Sequence, residues 1–323
     1  MRHADFAGIF SNPSSRCVGS RISFFRAKHD AFDDEQFCHV SAQTCQDVRF
    51  VIFLVDTPFA SDFQQGALHT AAMSFGSHLS NAMENSHCSG VGVVFGGVLP
   101  SAKQVDRGDD LEGDAKGHIA TEAGIAALGQ DYASLWSHHP KAVPIVITGD
   151  DNDAEALIRS RAMLKQKVNV VAFEEELATC NGEPSGWLQS SLETGDCSRA
   201  CVLGLDEMRI AAAWEKVARP RGTHLCSRAF PWQEKTSTLT AAFGSGTTGI
   251  VVNLDAFEPF APGANVDGRL PLTDVFELTR ALAYNRVNLS FLQVSADKAL
   301  RGDTTSIGRA IARIVFNFMR AFD

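Results

Sequence analysis

Three places in the chain gather carboxylates and amides just after short apolar runs. Thr148-Gly149-Asp150-Asp151-Asn152-Asp153 follows the run 143–147, Glu174-Glu175-Glu176 follows 168–173, and Asn253, Asp255 and Glu258 close the run that begins at Ile250. Oxygen donors in such numbers suit hard divalent cations. Asp and Asn are also the residues that cap helices and shape turns. Two readings therefore stand side by side: solvated turns, or a carboxylate-lined cation site. Other groups are weaker candidates. Gly244-Ser245-Gly246-Thr247-Thr248-Gly249 is glycine-rich, but it precedes a strand and lacks the helix N-terminus that a phosphate cradle needs. His138-His139 before Pro140 reads as a helix end. Cys180 beside Asn181-Gly182 has no neighbouring base to activate a thiol, so it reads as a plain loop cysteine. Trp136, Trp187, Trp214 and Trp232 read as packing residues.

Such loops need a scaffold, and the apolar runs supply it. Runs at 48–55, 91–95, 143–147, 168–173, 201–205, 250–254 and 289–294 are short, bounded and rich in β-branched residues. That pattern suits parallel strands buried on both faces. Between most of them lie helical patterns at 66–83, 118–136, 153–166, 206–218 and 273–285. A last helix is expected from about Thr305 to Phe322, with Ile307, Ile311, Ile314, Val315 and Phe318 on one face. Alternating strands and helices predict an α/β fold, a parallel sheet covered by helices on both faces. In open sheets of this kind, sites lie at the carboxyl ends of strands. Residues 1–47 are polar and read as an irregular N-terminal extension, with one domain over 48–323.

Composition narrows the function. The chain has 323 residues, a net charge of -9, 45% hydrophobic residues and 21% charged ones. Disorder is excluded by the apolar fraction. The acidic balance, with no Lys/Arg run, argues against nucleic acid. No apolar stretch reaches the ~18–20 residues of a membrane span, and the N-terminal residues lack a secretory apolar core. The eight cysteines include no Cys-x-x-Cys pair. Free thiols and a cytoplasmic location are expected.

The ordered motifs then bring a family into view. Val252-Asn253-Leu254-Asp255-Ala256-Phe257-Glu258-Pro259, followed by Ala261-Pro262-Gly263 and by Leu272-Thr273 before a helix, resembles the signature of the ureohydrolases. These are the arginases, agmatinases and formiminoglutamases. Their late strand reads S-F-D-x-D-x-x-D-P. Thr57-Pro58-Phe59, Gly149-Asp150-Asp151-Asn152-Asp153, the stretch 170–176, Gly204-Leu205-Asp206 and the stretch 289–294 fall in the family's order and spacing. The resemblance implies a single-domain arginase-like fold with a parallel sheet of about eight strands. It also implies two manganese ions held by two His and four Asp.

The departures are as informative. By resemblance, the first metal-binding His is replaced by Asn152. The family's D-x-H-x-D becomes Ala172, Glu174 and Glu176, and its D-x-D becomes Asn253 and Asp255. Both bridging aspartates are thus lost, and none of the ten histidines falls in these loops. A binuclear site needs both ions close together to activate water, and alanine offers no ligand at all. The proton-shuttling His corresponds to Ser185, the guanidinium-pairing Glu to Phe276, and a late Glu to Gln293. Asp151, Glu174, Glu176 and Asp255 remain and could attract one hard cation.

The expectation is a catalytically inactive pseudoenzyme with no metal and no cofactor, in a structural or regulatory role. The alternatives are a divergent metal-dependent ureohydrolase of guanidine or amidine compounds, and a small-molecule sensor using the old pocket. The resemblance also implies a homo-oligomer, trimer or hexamer, or association with a related chain. The stripe of the last helix offers either a contact surface or core packing.

Overall fold

A computed structural model describes residues 23–24, 49–56, 62–80, 93–100, 114–149, 151–206, 212–227, 246–257, 270–285, 287–296 and 303–322, with Ser237, Leu239 and Phe243. Asp150, Thr57-Pro58-Phe59, Glu258, Ala261-Pro262-Gly263, Trp232 and most of 1–47 lie outside the described residues. The strands are β1 Ser23–Phe24, β2 Phe50–Asp56, β3 Val93–Pro100, β4 Val143–Thr148, β5 Val168–Phe173, β6 Thr179–Cys180, β7 Glu183–Pro184, β8 Cys197–Leu205, β9 His224–Ser227, β10 Thr247–Asn253 and β11 Asn288–Ser295. The helices are α1 Asp62–Ser80, α2 Asp114–His138, α3 Asp153–Met163, α4 Gly186–Thr194, α5 Ala212–Ala218, α6 Thr273–Tyr284 and α7 Thr304–Arg320.

Among the described residues, nine strands form one sheet in the order β1-β3-β2-β4-β11-β10-β5-β8-β9, with parallel pairing throughout. The α/β reading holds, with nine strands among the described residues against about eight expected. The surplus is small: β1 has two residues and β9 four. Ser23–Phe24 falls within the segment read as irregular, yet it pairs with Val94 and Phe95 of β3. Short edge strands carry too few apolar residues to announce themselves. The helix α4 also went unread in the sequence, because Gly186–Thr194 is short and only four of its residues are buried.

All six residues of β4 and all six of β5 are buried. Their side chains alternate between two cores. Val168, Val170 and Ala172 pack with Trp136, Leu157 and Trp187, while Val171 and Phe173 pack with Ile250, Val252 and Phe318. The five apolar residues expected along α7 are all buried within the chain. Each contributes roughly 1.5–3 kcal/mol by leaving water. The helix lies so close to α1 that a Cβ on Gly308 would sit 2.4 Å from the Ala71 carbonyl oxygen. The stripe is therefore core, and it is not available as a contact surface.

The strand order decides where a site forms. The chain lays down β1, β2 and β3 on one side before reaching β4, builds outward from β5 through β8 to β9 on the other, then returns to insert β10 and β11 between β5 and β4. Divergence of this kind opens a crevice at the carboxyl ends of the central strands. The four strands that meet there, β4, β11, β10 and β5, carry the acid- and amide-bearing loops.

Candidate functional site

Register aligns the polar groups. Ser295 pairs with both Thr148 and Asn253, and Asn253 follows Val252, the partner of Phe173. Thr148, Ser295, Asn253 and Glu174 consequently form one row across four strands, on the sheet face shared by Gln293, Val251 and Ala172 one level below. Sheet periodicity forces this, since residues two apart share a face.

Glu174 is fixed by its backbone. Its N–H donates to the Leu203 carbonyl at 3.0 Å, and the Asp206 N–H donates to the Glu175 carbonyl at 3.2 Å. The ladder between β5 and β8 therefore runs past the strand end. Between these contacts sits Gly204 at φ +92°, where a Cβ would meet Leu270 at 2.7 Å and the Glu174 carbonyl at 3.2 Å. Only glycine takes that conformation and that approach without strain.

The side chains converge on one amide. Asn253 Nδ2 donates to Asp151 Oδ2 at 2.8 Å and to Glu174 Oε2 at 3.0 Å. Its Oδ1 accepts from the Asp255 backbone N–H at 2.9 Å. The Ser295 hydroxyl donates to Asp151 Oδ1, and Gln293 Nε2 donates to the Asp151 carbonyl at 3.3 Å. In the same row Thr148 donates to the buried Asp153 carboxylate at 2.5 Å. Glu174 and Asp255 are 4% and 3% exposed, so these acids meet in a dry environment.

Burial, then the nearby Asp151 carboxylate, pushes Glu174 well above the usual carboxylate range. Hydrogen bonding from Asn253 opposes the shift, Asp255 adds to it, and the Trp187 indole weakly opposes it. Oε1 of Glu174 is buried with no hydrogen-bond partner of ordinary geometry among the described residues.

The residues singled out from sequence part company here. Glu174 and Asn253 come together with Asp151, and Asp255 joins them through its backbone. Asn152 stands in the turn ahead of α3, with Oδ1 3.9 Å from where a Cβ on Gly186 would lie. Ala172 is fully buried in the core one level below the row. Glu176 is exposed on the loop after β5. Ser185 precedes α4, where its N–H donates to the Ala178 carbonyl at 3.0 Å. Phe276 is half-buried on α6, packed against the core. Ser295 and Thr148 had no mark in the sequence; only the strand register reveals them. Among the described residues, no group of three His, Cys, Asp or Glu side chains is placed to hold a metal ion.

No protein-family model matches the chain, and no curated protein matches it. Solved structures do. Formimidoylglutamase from Bacillus subtilis aligns at 15% identity over 94% of this chain and 91% of its own, with TM-score 0.67. The fold is that of the ureohydrolases. Formiminoglutamase from Trypanosoma cruzi, a structure with Mn2+, aligns at 17% identity over 87% of this chain and 95% of its own, with TM-score 0.65. Proclavaminate amidino hydrolase from Streptomyces clavuligerus aligns at 13% identity over 85% and 92%, with TM-score 0.64. This arginase-like chain thus shares the layout of hydrolases across nearly its whole length, at identities that speak to fold alone. Among the described residues, no helix is long and apolar enough to cross a membrane.

Proposed function

We propose that this arginase-like chain is a catalytically inactive relative of the ureohydrolases, with a structural or regulatory role. The observation that carries the reading is the orientation of Asn253. Its Nδ2 donates to Asp151 and Glu174. Where a pair of manganese ions would need anionic oxygens facing inward, the chain presents N–H groups. Two dications lie close together only when shared carboxylates neutralise them. Ala172 supplies no donor, Asn152 is an amide, and imidazole, a ligand suited to transition metals, is absent from the row. The residues present do not fit a binuclear manganese centre. Ser185 and Phe276 cannot shuttle a proton or pair with a guanidinium.

One observation favours a second reading. The buried Oε1 of Glu174, beside Asp151 and with no hydrogen-bond partner of ordinary geometry among the described residues, is an acceptor that a single hard cation would satisfy. Both readings are separated by one measurement. After incubation with excess Mn2+ and desalting, elemental analysis should find no stoichiometric manganese. Urea release from arginine and agmatine, and formamide release from formiminoglutamate, should stay at background. Two ions per chain would end the inactive reading, and one would select the remodelled site.

A chain without that chemistry needs another role, and assembly is the one we favour. A trimer or hexamer, or association with a related chain, is expected by light scattering, through a surface other than the buried stripe of α7. A monomer at micromolar concentration would contradict it.

A further inference from the structure

We propose that the Asn253 carboxamide is a built-in replacement for a cation, a neutral tie that holds the carboxyl ends of β4, β5 and β10 together. The proposal rests on the reading of this site as one without the two manganese ions, and it adds what keeps the site intact in their place.

The amide cannot be turned round. Its Oδ1 accepts the Asp255 backbone N–H at 2.9 Å, while Nδ2 faces Asp151 at 2.8 Å and Glu174 at 3.0 Å. A flipped amide would set an oxygen against two carboxylates and an NH2 group against an N–H. The network itself therefore assigns the orientation. The NH2 group has two hydrogens and two carboxylate acceptors, so both are used. Each carboxylate comes from a different loop, Asp151 from the turn after β4 and Glu174 from the end of β5. The Ser295 hydroxyl extends the tie to β11 through Asp151. Four central strands are thereby joined at one level.

A cation bridging Asp151 Oδ2 and Glu174 Oε2 would need the lone pairs that Asn253 now occupies with its hydrogens. At those two oxygens amide and cation exclude one another. Buried acids in this row need donors or positive charge close by, because unpaired charge in a dry site is costly. The amide supplies donors from within the chain, permanently. It follows that the wild-type protein should need no divalent ion for its stability, and that removing the donors should create such a need.

The test is thermal melting of the full chain in EDTA, Mg2+, Ca2+ and Mn2+. The wild type should melt at one temperature in all four. Asn253→Asp keeps the shape and replaces NH2 by an anionic oxygen. In EDTA it should melt about 5 °C or more below wild type, and saturating Mn2+ or Ca2+ should return at least half of that loss. Asn253→Ala removes the donors without adding charge, and it should also melt lower in EDTA. It keeps the proposal open to refutation if Asn253→Asp does not fold. An Asn253→Ala protein that melts with the wild type would overturn the tie. So would an Asn253→Asp protein indifferent to divalent ions. In either case an ion-indifferent wild type leaves the metal-free reading standing. A wild type that melts higher in Mn2+ overturns the metal-free reading first, and the tie with it.

Discussion

Two acidic clusters lie on the same side of the sheet, and they neutralise themselves by different means. At the strand ends, Asp151 and Glu174 are joined by the Asn253 amide and the Ser295 hydroxyl, all neutral donors. In the helical layer, Glu155 of α3 and Glu122 of α2 share the Arg159 guanidinium, and Ser190 of α4 donates to Glu155 at 2.6 Å. The second arrangement is an ordinary structural solution, in which a delocalised cation bridges two carboxylates. The first draws the half-buried Asp151 and the buried Glu174 together through uncharged groups. The difference teaches that acids drawn together in a fold can be held by neutral donors as well as by a shared guanidinium, and the strand ends use the first means.

Asn253→Asp should be the largest single break in this comparison, because it removes donors and adds charge in one step. Arg159→Met should come next. It strips the ion pair from Glu155, whose side chain is 7% exposed, and leaves the Ser190 hydroxyl donating to it. A buried acceptor stripped of its partner costs ~1–3 kcal/mol. Urea denaturation should show a loss in that range, with no response to divalent ions. A loss recovered by Ca2+ would mean that the helical cluster is also a cation site, and the contrast would fail.

The fold was legible because its signal is redundant. The apolar runs and the helical patterns between them all point to the same layered sheet, so errors of a few residues at the ends of α1 or β10 leave the topology intact. The site was legible only in part. Loop chemistry announced Glu174, Asn253 and Asp255, since acids directly after an apolar run stand where a buried strand gives out. Ser295 and Thr148 could not be read, because a hydroxyl at a strand end matters only once the register places it beside Asp151. Glu176 shows the reverse failure. Three consecutive glutamates look equivalent in sequence, yet the chain turns after Phe173, burying Glu174 and leaving Glu176 exposed. The orientation of Asn253, on which the functional reading turns, depends on three partners from three separate segments.

Acidity sharpens the comparison further. Burial raises Glu174 well above its ordinary value of 4.5. Burial raises Glu155 as well, even though its ion pair with Arg159 pulls the other way. Arg159 itself is raised: burial would lower it, but the two carboxylates more than offset that. An ion pair should lower its acid while raising its base, so the upward shift of Glu155 runs against its partner's. Burial accounts for it, since the Glu155 side chain is 7% exposed against 17% for Arg159. For both acids the folded chain holds its proton to higher pH than the unfolded chain. Stability is then fully present below pH 4.5 and is lost as pH rises through the folded value. Denaturation midpoints followed in EDTA from about pH 4.5 upward should decline, and Glu174→Gln should flatten the decline more than Glu155→Gln. Equal profiles for wild type and Glu174→Gln would show that burial does not hold the Glu174 proton over this range.

The smallest effect is expected at the rim of the helical cluster. Arg159 meets Glu122 through two contacts, at 2.5 and 3.3 Å, which is good bidentate geometry. Geometry alone would rank this pair with the Arg159–Glu155 contact at 2.6 Å. Burial ranks them apart, because the Glu122 side chain is 63% exposed and the Glu155 side chain 7%. Water and salt screen an exposed pair, and such pairs contribute ~0–1 kcal/mol. Glu122→Ala should therefore cost less than about 1 kcal/mol, and high salt should shrink the loss further. A double-mutant cycle with Arg159→Met isolates the coupling. It should be weaker for Glu122 than for Glu155 measured in the same way. If the Glu122 coupling were the stronger, burial would not be what sets the strength of these carboxylate contacts. The weight placed on the buried Asn253 tie would then have to rest on its geometry alone.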